Sequence, residues 1–174
     1  MTAKQLPARL LEGAQREYSI SMLWEGTRVN TNVPSERQLL NLVLPPWQRP
    51  FVWTLEQQVR YVEGIFLGLG TGYYVINGRE YEDDHHCHMS GWLLDGQQRI
   101  TSIARFVSGN LEIFDGLRYA DLSIADRRRR FDNVVFPCFE LEYQPDEERL
   151  KEVYRRLSFG GTAHTADDLA LLDQ

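Results

Sequence analysis

Three observations predict an α+β fold in a single domain. The chain has 174 residues, a length at which one domain is the default. Hydrophobic residues make up 43% of the chain, which is enough to form a real core. Segments with helical spacing of apolar residues are mixed with short strand-like runs, and no segment has the composition of a linker. This irregular mixture favours one domain spanning residues 1–174.

The helices are predicted from apolar spacing and from residues that begin or end helices. Thr54 and Gln57 have the spacing of a capping box, and glycines follow at 68, 70 and 72, so a helix is expected over 55–67. Ser123 is expected to cap a short helix that contains the arginine run 127–130. The same arguments predict further helices over residues 8–17, 97–107, 146–157 and 166–172.

Strands are predicted where short apolar runs lie between turn residues. These runs cover residues 73–76, 91–94 and 134–143, with a hairpin over 111–119. Asn77-Gly78 is expected to form a hairpin turn, and residues 79–90 a polar loop. Pro137 is expected to place the last strand at a sheet edge or a bulge. Residues 36–43 form a short element of undetermined type.

Charge and composition narrow the function classes. The net charge of −6 and the pI of about 5.2 argue against a dedicated DNA-binding protein, although Arg127–Arg130 could form a local basic patch. Cys87 and Cys138 are too far apart to indicate a disulfide framework, so reduced thiols in the cytoplasm are expected. Neither a signal peptide nor an apolar run of membrane-spanning length is found, and no membrane partner is expected.

The most informative segment is the predicted strand–turn–helix around Asp95. Backbone N–H groups at the start of a helix can hold a phosphate, and Gly96 allows a ligand close to the backbone. Arg99 can contact phosphate with two donors, and Asp95 could hold Mg²⁺ against the same phosphates. In the alternative interpretation, Asp95 is only a helix N-cap and Arg99 is solvated one turn along.

A second polar cluster lies in the proline-rich segment 46–53. Gln48 and Arg49 are placed between aromatic residues on a backbone that three prolines keep extended. Such a segment can present Arg49 to a ligand at low entropic cost. The alternative is a stiff loop whose aromatic side chains cover the core.

Together these segments resemble the N-terminal domain of GmrSD-type modification-dependent restriction proteins, in the ParB/sulfiredoxin-like superfamily. The matching patterns are P-x-Q-R-P-[aromatic]-x-W over 46–53 and L-[LI]-D-G-Q-Q-R-[IL]-T-[ST] over 93–102. A third block matches at 154–162, where Arg156 is retained but Ser158 replaces the usual Asn. The resemblance covers about residues 40–170, leaving 1–35 as an N-terminal extension. It implies a small mixed sheet with surrounding helices.

The resemblance also implies a nucleoside triphosphate pocket that hydrolyses its ligand, often GTP, with Mg²⁺ as a cofactor. Its expected nucleotide-binding residues are Gln48, Arg49, Gly96, Gln97, Gln98, Arg99 and Thr101. The expected catalytic residues are Asp95, which would hold Mg²⁺, and Gln97 or Gln98, which would position the attacking water. Family members commonly carry a C-terminal His-Asn-His nuclease domain, which these 174 residues do not contain. A separate nuclease or defence-complex protein is therefore the expected partner.

Two other function classes remain open at the level of sequence. One is a non-catalytic interaction module acting in defence or anti-defence. The other is a ParB-like nuclease in which the same residues act on DNA. The run His85-His86-Cys87-His88 is not expected to bind metal, because adjacent residues rarely all face one ion.

Overall fold

The computed structural model describes residues 6–25 and 33–159. Within these ranges the chain forms eight short strands and four α-helices. The strands are β1 (Gly13–Ser19), β2 (Gln38–Leu39), β3 (Leu42–Val43), β4 (Tyr74–Ile76), β5 (Tyr81–Glu82), β6 (His85–His86), β7 (Leu93–Asp95) and β8 (Val135–Leu141). The helices are α1 (Leu55–Phe66), α2 (Gln97–Val107), α3 (Ile124–Arg127) and α4 (Glu147–Phe159).

The centre of the fold is a mixed four-stranded sheet in the order β1-β8-β4-β7. β8 is antiparallel to β1 and parallel to β4, and β4 is antiparallel to β7. Two two-stranded ribbons, β2-β3 and β5-β6, lie outside this sheet. The predicted α+β class is therefore confirmed.

Each face of the sheet supports its own hydrophobic cluster. Alternate residues of β4 point to opposite faces, as strand geometry requires. Tyr74 and Ile76 pack with the apolar sides of α1 and α2. Val75 packs with Leu94, Trp47 and the buried residues of α4. Because α2 and α4 cover opposite faces, the end of β7 lies where both helices and the proline-rich segment approach one another.

The predicted helix over residues 8–17 is wrong. Residues Gly13–Ser19 form β1, which pairs with β8 along its whole length, from Gly13 opposite Leu141 to Ser19 opposite Val135. Ile20 and Leu23, which follow in a short 3₁₀ turn, are buried in the main core. The backbone pairing offered by β8 outweighs a weak local helical preference. This part of the expected N-terminal extension therefore belongs to the sheet and its core.

The hairpin turn expected at Asn77-Gly78 is also wrong, because β4 pairs with β7 across a longer connection. Asn77 is fully buried, and its side chain exchanges hydrogen bonds with the backbone of Gln144 and donates to Met89 O. A Cβ added at Gly78 would lie 2.4 Å from the backbone oxygen of Leu141, so the glycine permits these two segments of the chain to approach closely. The connection, predicted to be a loop, contains the β5-β6 hairpin.

Pro137 lies in the interior of the sheet, so the expected edge position of its strand is wrong. β8 has β1 on one side and β4 on the other. Its ladder with β4 runs from Cys138 to Glu140 and thus begins one residue after the proline. Pro137 therefore lies in an interior strand, but it is not one of the residues that pair with β4.

The other element predictions are largely confirmed. Thr54 and Gln57 form the capping box, with hydrogen bonds of 2.9 and 3.3 Å, and α2 has the predicted bounds. The strand at 91–94 is shifted to 93–95, and the hairpin at 111–119 is reduced to one bridge, between Ile113 and Leu117. The short helix with the arginine run continues as a π-helical turn. The helix predicted over 166–172 lies outside the described residues.

Candidate functional site

A pocket of about 180 Å³ lies where β7 ends and α2 begins. The proline-rich segment forms one wall, and the C-terminal half of α4 forms another. The lining side chains are mostly polar or charged, which distinguishes this pocket from the apolar cavities elsewhere on the surface. The lining residues are Gln48, Arg49, Trp53, Leu94, Asp95, Gly96, Gln97, Gln98, Arg99, Tyr154 and Ser158.

Gly96 forms the turn between β7 and α2 and occupies the N-cap position of the helix. Its φ of +104° lies in a region that favours glycine, and an added Cβ would lie 2.6 Å from Tyr74 Cβ. No side chain of the described residues caps this helix start. The first N–H groups of α2 therefore have no intrahelical partner and lie at the pocket, with the positive end of the helix dipole.

Asp95 is not the helix N-cap, so this part of the simpler interpretation of the segment is wrong. Its Oδ2 instead accepts a hydrogen bond of 2.8 Å from Arg99, one helical turn along. The same Arg99 nitrogen donates to the backbone oxygen of Tyr73 at 2.9 Å. Less than a third of each side chain is exposed, 29% for Asp95 and 27% for Arg99. Arg99 is thus held at the pocket wall and is only partly exposed to solvent.

Glutamine side chains fix the proline-rich segment against the helices. Gln98 Oε1 accepts hydrogen bonds of 3.0 Å from the backbone N–H groups of both Val52 and Trp53. Gln58, almost fully buried in α1, donates to Trp53 O and accepts from Arg105 of α2. The wall that carries Gln48 and Arg49 is therefore preorganised by contacts from two helices.

Several polar atoms of the pocket have no hydrogen-bond partner among the residues that the structure describes. Gln48 Nε2 donates to Gln97 Oε1 at 3.4 Å, but Gln48 Oε1 is buried without a hydrogen bond. Gln98 Nε2 and Arg99 Nε are also buried without a hydrogen bond. Among the described residues, three of the five buried side-chain N and O atoms in this condition lie on pocket residues. Because such atoms are costly to leave unpaired, the cluster points to a polar ligand.

Two aromatic side chains, Trp53 and Tyr61, lie on the side of the pocket near Arg99. Trp53 packs edge-on against Tyr61, with ring centroids 5.5 Å apart. Tyr61 donates its hydroxyl to Thr71 O at 3.0 Å. Burial raises the pKa of Tyr61, and the positive charge of Arg99 opposes that rise. Tyr61 therefore stays neutral and supports this side of the pocket from behind.

The third sequence block contributes two residues to the pocket. Tyr154 and Ser158, four residues apart on α4, line the pocket, whereas Arg156 faces away and pairs with Glu152 at 2.8 Å. Their i,i+4 spacing is the signal that could have identified the first two. Thr101, expected to bind nucleotide, lies in the second turn of α2 and is not a lining residue. Gly160, Gly161 and Thr162 lie outside the described residues.

The two other polar clusters of the sequence do not converge in the part of the chain that is described. His85 contacts Asp83 O, His86 contacts Ser90 Oγ and stacks on Tyr81, and His88 packs against Trp92. No group of three or more His, Cys, Asp or Glu residues with metal-binding geometry is found among the described residues.

The four arginines of the run differ in their contacts and exposure. Arg127 packs over the ring of Tyr119, and Arg130 donates to Phe66 O at 2.7 Å, so two of the four guanidinium groups make internal contacts. Arg128, Arg129 and Arg130 are exposed, and Arg127 is half-buried, so a local basic patch is compatible with the structure.

Comparison with known proteins gives one match. The family model described as "GmrSD restriction endonuclease, N-terminal domain" matches residues 31–171. No curated protein and no solved structure matches the chain significantly. Among the described residues, no helix has the length and apolar character needed to cross a bilayer.

Proposed function

The chain belongs to the GmrSD restriction endonuclease N-terminal domain family, and from that premise we propose that its polar pocket binds a nucleoside triphosphate and hydrolyses it with Mg²⁺. The family membership supports a role as a module of a restriction system. The proposal adds the ligand, the cofactor and the reaction.

The observation that carries the proposal is the convergence of unpaired polar atoms at a helix start. Gln98 Nε2 and Arg99 Nε are donors, and they are buried beside the first N–H groups of α2. A phosphate group accepts hydrogen bonds from all of these donors and is stabilised by the helix dipole. Arg49 on the opposite wall adds a second positive charge. The pocket is therefore complementary to a polyanion.

Asp95 fits a bound Mg²⁺ in the presence of phosphates. It is the only carboxylate among the described residues that line the pocket, and one of its oxygens is engaged by Arg99. Mg²⁺ is usually bound by one or two carboxylates together with substrate phosphates, so a single carboxylate is sufficient. The ion would neutralise charge on the phosphates and make the terminal phosphorus more electrophilic. Without it, Asp95 would repel the ligand.

The hydrogen bonds of Gln97 and Gln98 support different roles for the two side chains. The Oε1 of Gln98 already accepts two backbone hydrogen bonds, so this side chain can donate to a phosphate but is poorly placed to accept from water. Gln97 Oε1 has one long hydrogen bond, of 3.4 Å from Gln48. We therefore assign the positioning of the attacking water to Gln97 and a binding and structural role to Gln98.

The proposal also includes a relationship to the ParB/sulfiredoxin-like superfamily and a protein partner. The passage from β7 through Gly96 into α2 supports a site of the ParB/sulfiredoxin-like type, in which this strand–turn–helix position binds nucleotide. A separate nuclease or defence-complex protein would respond to the nucleotide state of this domain.

One observation favours a second candidate, a nucleotide-binding module without turnover. Asp95 and Arg99 pair at 2.8 Å, and this pairing occupies the same carboxylate that a metal would need. If the pair persists when nucleotide is bound, the pocket would bind without hydrolysis and act through its partner. Binding and phosphate release, measured on the same preparation, distinguish the two candidates.

The test is a titration of the purified chain with each of the four common nucleoside triphosphates, with and without Mg²⁺. A ligand that binds only the folded state must raise the melting temperature. Arg99→Ala should weaken binding by about 1.5–3 kcal/mol, the range for hydrogen bonds to charged groups, with or without metal. Arg60→Ala is the matched control, because Arg60 is exposed on α1 and pairs only with Glu56 among the contacts seen. Wild-type affinity in Arg99→Ala would refute the assignment of the pocket.

A further inference from the structure

An apolar groove of about 430 Å³ lies beside the polar pocket, on the other side of the C-terminal half of α4. Its floor is the sheet face formed by β4 and β8, and its rim includes Tyr73, which is 50% exposed. Leu157 of α4 forms one side, next to Ser158 of the polar pocket. The described residues that line the groove are Leu11, Gln15, Gly72, Tyr73, Val75, Pro137, Cys138, Phe139 and Leu157.

The groove and the polar pocket are lined by neighbouring residues. Val75 lines the groove and lies opposite Asp95 of the pocket in the β4-β7 pairing, so these two lining residues are about one strand spacing, ~5 Å, apart. Arg99 provides a second link. It donates to the backbone oxygen of Tyr73, and a Cβ added at Gly72 would lie 3.3 Å from Arg99 Cδ.

The polar pocket alone is too small for a whole nucleotide. Sites that enclose a ligand of drug size have volumes of roughly 300–1,000 Å³, whereas this pocket measures about 180 Å³. Its charged and amide lining is suited to phosphate oxygens, and it offers little apolar surface to a base. The adjoining groove has the opposite character, with aromatic side chains from Tyr73 and Phe139 and few polar atoms.

We propose that the groove lined by Tyr73, Val75, Phe139 and Leu157 is the nucleobase subsite, and that the triphosphate lies across Asp95 and Arg99 in the polar pocket. This inference rests on the proposed function, because it assigns a place to one part of the proposed ligand. The exposed ring of Tyr73 stacks on the base, and the apolar floor excludes water from its other surface. Since stacking is tolerant of base identity, the four nucleoside triphosphates should differ in affinity by less than about tenfold.

The decisive experiment compares a nucleoside triphosphate with inorganic tripolyphosphate, which has the phosphates but no base. Wild-type protein should bind the nucleotide about tenfold or more tightly than tripolyphosphate in the presence of Mg²⁺. Tyr73→Ala removes the ring but keeps the backbone oxygen that Arg99 contacts. It should therefore lower nucleotide affinity about tenfold and leave tripolyphosphate affinity unchanged. Tyr81→Ala, which removes a tyrosine of similar exposure from β5, outside the lining of the groove, is the matched control.

The outcomes separate the groove from the pocket. Equal wild-type affinity for nucleotide and tripolyphosphate would overturn the base subsite and leave phosphate binding by the pocket intact. If Tyr73→Ala lowers the affinity for nucleotide and for tripolyphosphate equally, with an unchanged melting temperature, the base subsite is also overturned. The ring would then affect phosphate binding through Arg99 and would not contact the base. Loss of a concentration-dependent dimer in the variant, with nucleotide affinity unchanged, would assign the groove to a second copy of the chain. If wild-type protein binds neither ligand, the proposed function itself fails, and the groove inference fails with it.

Discussion

The polar pocket and the β5-β6 hairpin both contain clusters of polar or ionisable residues in the sequence, but the fold arranges the two clusters differently. At the pocket, residues 48–49 and 95–99 come from segments far apart in sequence and face one space. At the hairpin, His85, His86 and His88 are near neighbours, and each side chain has a different partner. Polar residues that meet from separate segments leave unpaired atoms, whereas adjacent ones on a strand turn to opposite faces.

The difference shows which sequence clusters are informative about a site. The pocket retains three buried polar atoms without partners, on Gln48, Gln98 and Arg99. On the hairpin, His86 has a serine hydroxyl and an aromatic ring as neighbours. A cluster whose polar atoms are already satisfied within the protein has little left to offer a ligand.

The largest expected effect comes from Asp95→Asn. The substitution should lower nucleotide hydrolysis about 100-fold or more, because a metal-binding carboxylate contributes several kcal/mol of transition-state stabilisation. Binding without Mg²⁺ should be retained or improved, since Arg99 is released from its ion pair. Phosphate release and nucleotide affinity are measured together. Asp115→Asn, in an exposed turn, is the control, and wild-type turnover in Asp95→Asn would eliminate the metal role.

Arg49→Ala tests whether the proline-rich wall contacts the ligand. Loss of one charged hydrogen bond should weaken nucleotide binding by about 1.5–3 kcal/mol. Folding should change little, because Gln98 and Gln58 hold the segment through its backbone. Calorimetric titration beside a melting curve gives both quantities. An affinity equal to that of the wild type would remove Arg49 from the site.

Gln98→Ala should act mainly on stability, in contrast to Gln97→Ala. The change removes the acceptor of the Val52 and Trp53 N–H groups, and leaving such groups unpaired costs about 1–3 kcal/mol. Urea denaturation of the two variants measures the difference in free energy of unfolding. Gln97→Ala should be the more stable protein and show the greater loss of hydrolysis relative to binding. The reverse order would mean that the assigned roles are exchanged.

The smallest effect is expected at the hairpin. Purified protein should contain no stoichiometric zinc, and Cys87→Ser should change the free energy of unfolding by less than about 0.5 kcal/mol, as is usual for surface substitutions. Elemental analysis of the wild type and of Cys87→Ser provides the measurement. Stoichiometric zinc that disappears in the variant would show that the hairpin, too, is a site.

Local hydrogen bonding explains the features that were predictable from the sequence. The capping box at Thr54, the bounds of α2 and the turn at Gly96 depend on residues within four positions of one another. The short strand that ends at Asp95 pairs with β4, but its apolar run is a local signal, and its predicted position differs from the observed one by one or two residues. Of the site residues expected from sequence, those at 48–49 and 95–99 line one pocket.

Tertiary structure decided what local preference could not. Residues 13–19 became a strand only because β8 supplies a partner about 120 residues later, a pairing that carries no local signal. The side of α4 that faces the pocket was likewise set by packing, which brought Tyr154 and Ser158 to the site and turned Arg156 outward. The pairing of Asp95 with Arg99, in place of a helix cap, depended on Gly96 taking the N-cap position. Sequence thus determined most of the helices and the candidate residues, while long-range pairing and packing determined the first strand and which groups meet, because those contacts join residues far apart in the chain.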